Sequence, residues 1–109
     1  MAKTSKDVIA SSGNVFVDLG LAAAEEKKTK VQLAVALNKI IQKRRLSQST
    51  AARALRVNQP KISALTNYRL EGFSVERLMN FLNALGHDVE IIIRKPGHRK
   101  SPSIRVTAA

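Results

Sequence analysis

Apolar residues recur at helical spacing through the first half of the chain. Leu33, Leu37, Ile40 and Ile41 are separated by steps of four, three and one residues, so they lie on one stripe of a helix. This pattern predicts a long helix from about Ala22 to Arg45. Acidic residues near its start and basic residues at its end complement the helix macrodipole at both termini.

Two short helices are predicted directly after the long one. Ser47 stands where an N-cap belongs and precedes an alanine-rich helix from Gln48 to Leu55. The chain then breaks at Arg56, and Asn58 provides a second N-cap for a helix from Gln59 to about Asn67. The break is short, so the two helices must cross close to where they are joined.

A further short helix follows, and its apolar residues also share one face. Ser74 caps it, and Gly86 is a suitable stop. The shared face consists of Leu78, Phe81, Leu82 and Leu85. The face is wide enough to pack against the other helices.

The pattern changes from helical to alternating after Gly86. Val89, Ile91 and Ile93 alternate with mostly polar residues between His87 and Lys95, which predicts a β-strand. A lone strand leaves its backbone N–H and C=O groups unpaired, so this strand needs a partner. Three partners remain open: a second copy of the chain in a two-fold dimer, the edge of a toxin, or the apolar segment at residues 15–17.

Length and composition limit the number of domains and the kinds of site. A chain of 109 residues fits one domain, which we expect at residues 15–95, between a flexible tail at 1–14 and a disordered basic tail at 96–109. There is no cysteine, and the two histidines are isolated, so we predict no metal site and no cofactor. No signal peptide or membrane-spanning segment is found, which favours a cytoplasmic protein without a membrane partner.

The positive charge is concentrated in one segment. The formal net charge is +11, and residues 27–70 hold eleven basic side chains and no acidic one. The basic and acidic residues outside this segment cancel. A solvated surface is one explanation, but a continuous cationic segment is also typical of a surface that binds a polyanion.

The two short helices lie inside this basic segment and have the layout of a helix-turn-helix. Ala52 is small enough to let the two helices approach closely. The apolar faces between which they cross are formed by Leu46, Leu55, Ile62 and Leu65. A helix-turn-helix within an acid-free segment predicts a double-stranded DNA partner.

The sequence LSQSTAARALRVNQPKISALTNYR, residues 46–69, resembles the lambda-repressor and Cro-like, or XRE, family. The resemblance extends from Gly13 to about Lys95. Over this range the sequence is similar to the branch of the family that contains HigA-type antitoxins. It implies an all-α, lambda-repressor-like domain of five helices, with a C-terminal strand used for dimerisation. Arg56 departs from the family pattern, because many members have glycine there; a left-handed arginine would cost about 1 kcal/mol.

The resemblance also implies roles for individual residues. In such a domain the second short helix enters the major groove, and the first crosses the phosphate backbone. Gln59 can pair with adenine and Lys61 with guanine. The residues expected to read bases are Gln59, Lys61, Ser63 and Ala64. Those expected to contact phosphate are Gln48, Arg53, Arg56, Asn67, Tyr68 and Arg69. Those expected to contact a second copy or a partner are Val89, Ile91 and Ile93.

These observations favour a dimeric, sequence-specific repressor that binds an operator near its own promoter, on the nucleoid. The resemblance implies that it is the antitoxin of a toxin–antitoxin pair, with a RelE- or HigB-like toxin as partner. The alternatives are a protein-interaction module that chiefly neutralises a ribonuclease toxin, and a stand-alone phage-like repressor. RNA binding ranks lower because aromatic residues for stacking are scarce. No catalytic residues are predicted, because neither histidine has a nucleophile beside it and no glycine-rich phosphate loop is present.

Overall fold

The computed structural model describes residues 23–97 and 103–108, and this part of the chain contains four α-helices. They are α1 (Ala23–Lys43), α2 (Gln48–Leu55), α3 (Gln59–Thr66) and α4 (Val75–Ala84). The helix predictions are confirmed to within two residues at the ends that can be compared. The predicted tail at 1–14 and the apolar segment at 15–17 lie outside the described residues.

Side-chain caps explain where the three shorter helices begin. Ser47 Oγ accepts a hydrogen bond from the Thr50 amide at 3.1 Å. Asn58 Oδ1 accepts from the Lys61 amide at 2.9 Å, and Ser74 Oγ accepts from the Arg77 amide at 3.0 Å. Each cap satisfies one amide that has no partner within its helix, so the three predicted N-caps are confirmed.

The core is formed where α1 packs against α4 and α2 packs against α3. Its largest fully buried side chains are Leu37, Ile62, Leu65 and Leu78. Burial of each such side chain stabilises the fold by roughly 1.5–3 kcal/mol. At the predicted crossing of the short helices, Ala51 is 0% and Ala52 is 7% exposed, so small side chains do fill that crossing.

One buried polar side chain joins α1 to the end of α3. Asn38 is 5% exposed, and its Nδ2 donates to the Leu65 carbonyl oxygen at 3.2 Å. Its Oδ1 has no hydrogen-bond partner in the described part of the chain. This hydrogen bond connects the long helix to the last turn of α3, beside the buried side chains of Ile62 and Leu65.

The predicted C-terminal strand and the five-helix count are both wrong for the described residues. Residues 88–96 form neither strand nor helix, and four helices are present rather than five. A helix pairs its own backbone groups within one segment, whereas a strand needs another strand beside it. Val89 is half-buried against the core, but Ile91, Ile92 and Ile93 are 74%, 63% and 92% exposed, so the alternation does not reflect a buried face.

Residues 103–108 lie along α1. The Ile104 amide donates to the Glu25 carboxylate at 3.4 Å, and the Val106 amide donates to Gln32 Oε1 at 3.0 Å. Ile104 and Val106 are both half-buried, and Val106 packs against the core. Two acceptors on one helix therefore hold alternate amides of an extended segment.

Candidate nucleic-acid interface

The second short helix, α3, has one buried face and one face open to solvent. Ile62 and Leu65 are 1% and 0% exposed, which anchors the inner face. Gln59 and Asn67 are exposed, and Ser63 is half-buried between them on the outer face. The structure therefore places Gln59, Ser63 and Asn67 along one side, as a helix that enters a groove requires.

Ala64 and Asn67 complete the description of this outer face. Ala64 is half-buried and packs against the core, so only part of its methyl group is accessible. Asn67 Nδ2 donates to the Ser63 carbonyl oxygen at 2.8 Å and lies 3.5 Å from Ser63 Oγ. These hydrogen bonds hold the polar groups of Ser63 and Asn67 together at the C-terminal end of the face.

Lys61 is directed away from this outer face. Its Nζ donates to the Gly72 carbonyl oxygen at 3.2 Å and lies 4.8 Å from the centroid of the Phe73 ring. Phe73 is buried and makes an edge-to-face contact with Phe81, with ring centroids 5.9 Å apart. In this state the Lys61 ammonium connects the first turn of α3 to the loop before α4, and a hydrogen bond to a carbonyl with a cation–π contact stabilises that position.

The N-terminus of α2 lies at the surface together with its cap. Gln48 is the first residue of the helix and is exposed, as are Ser47, Ser49 and Thr50. Ser47 Oγ also donates to Thr50 Oγ1 at 2.9 Å, which orders the hydroxyl groups of this turn. An exposed helix N-terminus carries partial positive charge and favours anions, which suits the phosphate contact predicted for Gln48.

The other residues expected to contact phosphate are also at the surface. Arg53 lies in the last turn of α2, and Arg56 follows that helix. Tyr68 and Arg69 follow α3, and Tyr68 is 44% exposed. All four belong to the segment at residues 27–70 that has no acidic side chain. Within that segment Lys30 forms an ion pair with Glu26, one turn earlier on α1, with 3.9 Å between Nζ and the carboxylate.

Three of the four described helices are followed, within two residues, by a left-handed residue that is not glycine. Arg45, Arg56 and Tyr68 have φ values of 55°, 59° and 59°, and Gly86 has the same role after α4 with φ 85°. Arg56, where many members of the family have glycine, is left-handed, so the cost of about 1 kcal/mol applies to it. Arg45 and Tyr68 were not expected to be left-handed, because no glycine or asparagine marks those positions in the sequence.

The predicted partner residues do not share one environment. Val89 packs against the core, whereas Ile91 and Ile93 are largely exposed. The sequence also did not indicate that Ile92 would be 63% exposed beside them. The result is three consecutive exposed isoleucine side chains at residues 91–93.

Comparison with known proteins identifies the family. The sequence matches the helix-turn-helix domain family over residues 15–94. A solved structure of a protein named as an XRE family transcriptional regulator is 61% identical, with a TM-score of 0.78; the alignment covers 81% of this chain and 100% of that one. The search of curated proteins found no match. None of the helices among the described residues is long and apolar enough to cross a membrane. The chain therefore belongs to the XRE-type helix-turn-helix family, whose members are DNA-binding transcriptional regulators.

Proposed function

We propose that the protein is a sequence-specific repressor that binds an operator near its own promoter, in the cytoplasm and on the nucleoid. The observation that carries the proposal is the outer face of α3. The helix α2, whose N-terminus is exposed, packs against α3, and both helices belong to a segment of eleven basic and no acidic side chains. This arrangement provides base contacts and phosphate contacts on neighbouring elements, which a DNA-reading surface needs.

In the proposed complex α3 lies in the major groove. Gln59, at its exposed start, pairs with adenine through its amide. Ser63 provides a hydroxyl for a second base, and the accessible part of the Ala64 methyl group contacts a thymine methyl. Lys61 reads guanine only after its ammonium leaves the Gly72 carbonyl oxygen and the Phe73 ring, so this contact forms on binding.

Phosphate contacts fix the position of α3 in the groove. Gln48 and the amides of the first turn of α2 bind one phosphate. Further contacts come from exposed side chains on either side of α3: Arg53, Arg56, Asn67, Tyr68 and Arg69. These contacts carry no base information, so they set affinity and its dependence on salt.

A second copy of the chain binds the second half-site of the operator. The exposed side chains of Ile91 and Ile93 provide the apolar contact surface, with Val89 as the inner anchor against the core. A two-fold dimer places two copies of α3 about 34 Å apart on one side of the duplex. The same exposed surface favours a second role as an antitoxin that binds a RelE- or HigB-like toxin.

The experiment that tests the repressor function compares the protein's own upstream DNA with a random duplex. Fluorescence anisotropy at physiological salt should show the upstream fragment bound at least about 10³-fold more tightly. Equal affinity for the two duplexes would contradict the operator function.

A matched pair of variants separates the two kinds of contact. Gln59→Ala should change the preferred base at one position of each half-site, at a cost of about 1–3 kcal/mol on the operator. Arg69→Ala should weaken binding to every sequence alike and reduce the salt slope by about one unit. A uniform loss in both variants would contradict the division between base and phosphate contacts.

The antitoxin role has a separate test. The product of the neighbouring reading frame is purified with and without this protein, and its ribonuclease activity is measured. The wild-type protein should suppress that activity, whereas the double variant Ile91→Ser, Ile93→Ser should not. Unchanged ribonuclease activity with the wild-type protein would leave a stand-alone repressor as the function.

A further inference from the structure

Arg45 belongs to a group of surface residues in an unfavourable backbone conformation. Arg45, Arg56 and Tyr68 are left-handed, with φ values of 55°, 59° and 59°. Each directly closes a helix with a pair of backbone hydrogen bonds. At Arg45 they run from its own amide to the Gln42 carbonyl oxygen and from the Leu46 amide to the Ile41 carbonyl oxygen, both at 3.0 Å.

The same pair of hydrogen bonds closes α4, where the left-handed residue is glycine. The Gly86 amide donates to the Asn83 carbonyl oxygen at 2.9 Å, and the His87 amide donates to the Leu82 carbonyl oxygen at 3.0 Å. A side chain is therefore not required to close a helix in this fold. Glycine adopts this conformation without the steric cost that a Cβ atom brings, so arginine at the other helix ends lowers the stability of the protein.

A cation near a helix C-terminus regains part of this cost through the macrodipole. That gain is screened by salt and is smaller than the conformational cost at an exposed site. It also does not apply to Tyr68, which is uncharged and 44% exposed. Strained residues that persist at a surface indicate that their side chains have a function there.

The position of Arg45 indicates what that function is. Arg45 is exposed and lies two residues before Ser47, the cap of α2, and three before Gln48. Arg56 lies between α2 and α3, and Tyr68 lies two residues after the end of α3. The three residues therefore flank, along the chain, the two helices of the proposed DNA surface, and all three are exposed.

We propose that Arg45 is a further phosphate contact, and that arginine or tyrosine rather than glycine stands at Arg45, Arg56 and Tyr68 because these side chains bind the nucleic-acid backbone. This inference rests on the proposed function for its ligand. At each of the three positions the side chain lowers the stability of the fold and raises the affinity for nucleic acid.

The test compares Arg45→Gly with Arg45→Lys in the full-length protein. Arg45→Gly should raise the melting temperature by at most roughly 4 °C, because the relief of strain is partly offset by the backbone entropy of glycine and by the lost interaction with the macrodipole. It should also weaken binding to a duplex by about tenfold and reduce the salt slope by about one unit. Arg45→Lys keeps both the charge and the strain, so it should match the wild type in melting temperature and salt slope.

Two control variants separate strain from charge. Gly86→Ala introduces a Cβ atom at a left-handed residue; the nearest atom, Arg44 Nη2, is 3.9 Å away, so the change adds strain without a clash. It should lower the melting temperature by about as much as Arg45→Gly raises it, with unchanged DNA binding. Arg94→Ala removes an exposed charge outside the basic segment and should leave the salt slope unchanged.

The results distinguish failure of this inference from failure of the proposed function. A higher melting temperature with an unchanged salt slope would show that Arg45 is strained but does not contact phosphate. A lower melting temperature for Arg45→Gly would show that the arginine stabilises the fold; either result overturns the inference. Because phosphate contacts are independent of sequence, the slopes are measured on the random duplex, so they remain informative if operator preference is absent. A wild-type protein that binds no duplex would overturn both.

Discussion

The helical region at residues 23–86 and the segment at residues 88–97 are both rich in branched apolar residues, but the first region buries them and the second exposes them. Ile62 in α3 is 1% exposed, whereas Ile93 is 92% exposed. Helices satisfy their backbone groups within themselves and can then bury their side chains together. The later segment has no neighbouring strand among the described residues, so its apolar side chains remain at the surface. An apolar pattern therefore indicates burial only where the backbone can also be satisfied.

The largest expected effect comes from truncating one apolar side chain in each region. Leu65→Ala should lower the free energy of unfolding by about 2–5 kcal/mol, because it leaves a cavity beside α1 at a residue that is 0% exposed. Ile93→Ala should change it by less than about 0.5 kcal/mol. Urea denaturation at low protein concentration measures both values. Equal losses would show that residues 88–97 are buried in solution and would remove the contrast between the regions.

A smaller effect is expected from the polar contact inside the helical region. Asn38→Ala removes the hydrogen bond to the Leu65 carbonyl oxygen and should lower the free energy of unfolding by about 1–3 kcal/mol. Gln42→Ala, at an exposed position on the same helix, is the matched control and should have almost no effect. If Asn38→Leu is more stable than the wild type, the buried amide of Asn38 destabilises the core instead of stabilising the contact between α1 and α3.

The smallest effect concerns the contact between Lys61 and the loop at residues 71–73. A Cβ atom at Gly72 would lie 2.9 Å from Lys61 Nζ, so Gly72→Ala must displace that ammonium. Because the displaced atom ends a flexible side chain, the loss of stability should be about 0.5–1 kcal/mol. A double-mutant cycle with Lys61→Met should show that the two losses do not add. Additive losses would mean that the contact contributes nothing to stability.

The features that depend on nearby residues could be predicted from the sequence. Ser47, Asn58 and Ser74 mark helix starts because a cap acts on an amide three residues away. The buried faces of α3 and α4 could also be predicted, because helical spacing depends on residues only three or four positions apart. The left-handed Arg45 and Tyr68 could not be predicted, since nothing in their residue types requires that conformation.

The features that depend on distant residues could not be predicted. The family resemblance implies base reading for Lys61, but no local pattern indicates that its ammonium binds a carbonyl oxygen eleven residues later in the chain. The predicted strand failed because whether a strand forms depends on a partner that the strand's own residues do not reveal. The outer face of α3 was predicted from the family resemblance. A resemblance to a known fold indicates how helices pack, whereas the apolar pattern of one segment does not.

The extended segment at residues 103–108 offers a way to follow local opening of the protein by hydrogen exchange. The Val106 amide is held by one side-chain acceptor, Gln32, whereas the Ile62 amide lies inside a capped helix on the core. Undocking of a short segment disrupts few contacts, so the Val106 amide should exchange through frequent local opening. The Ile62 amide should exchange only when the helices separate. Their two exchange rates therefore report separately on the attachment of the C-terminal segment and on the cooperative unfolding of the helical core.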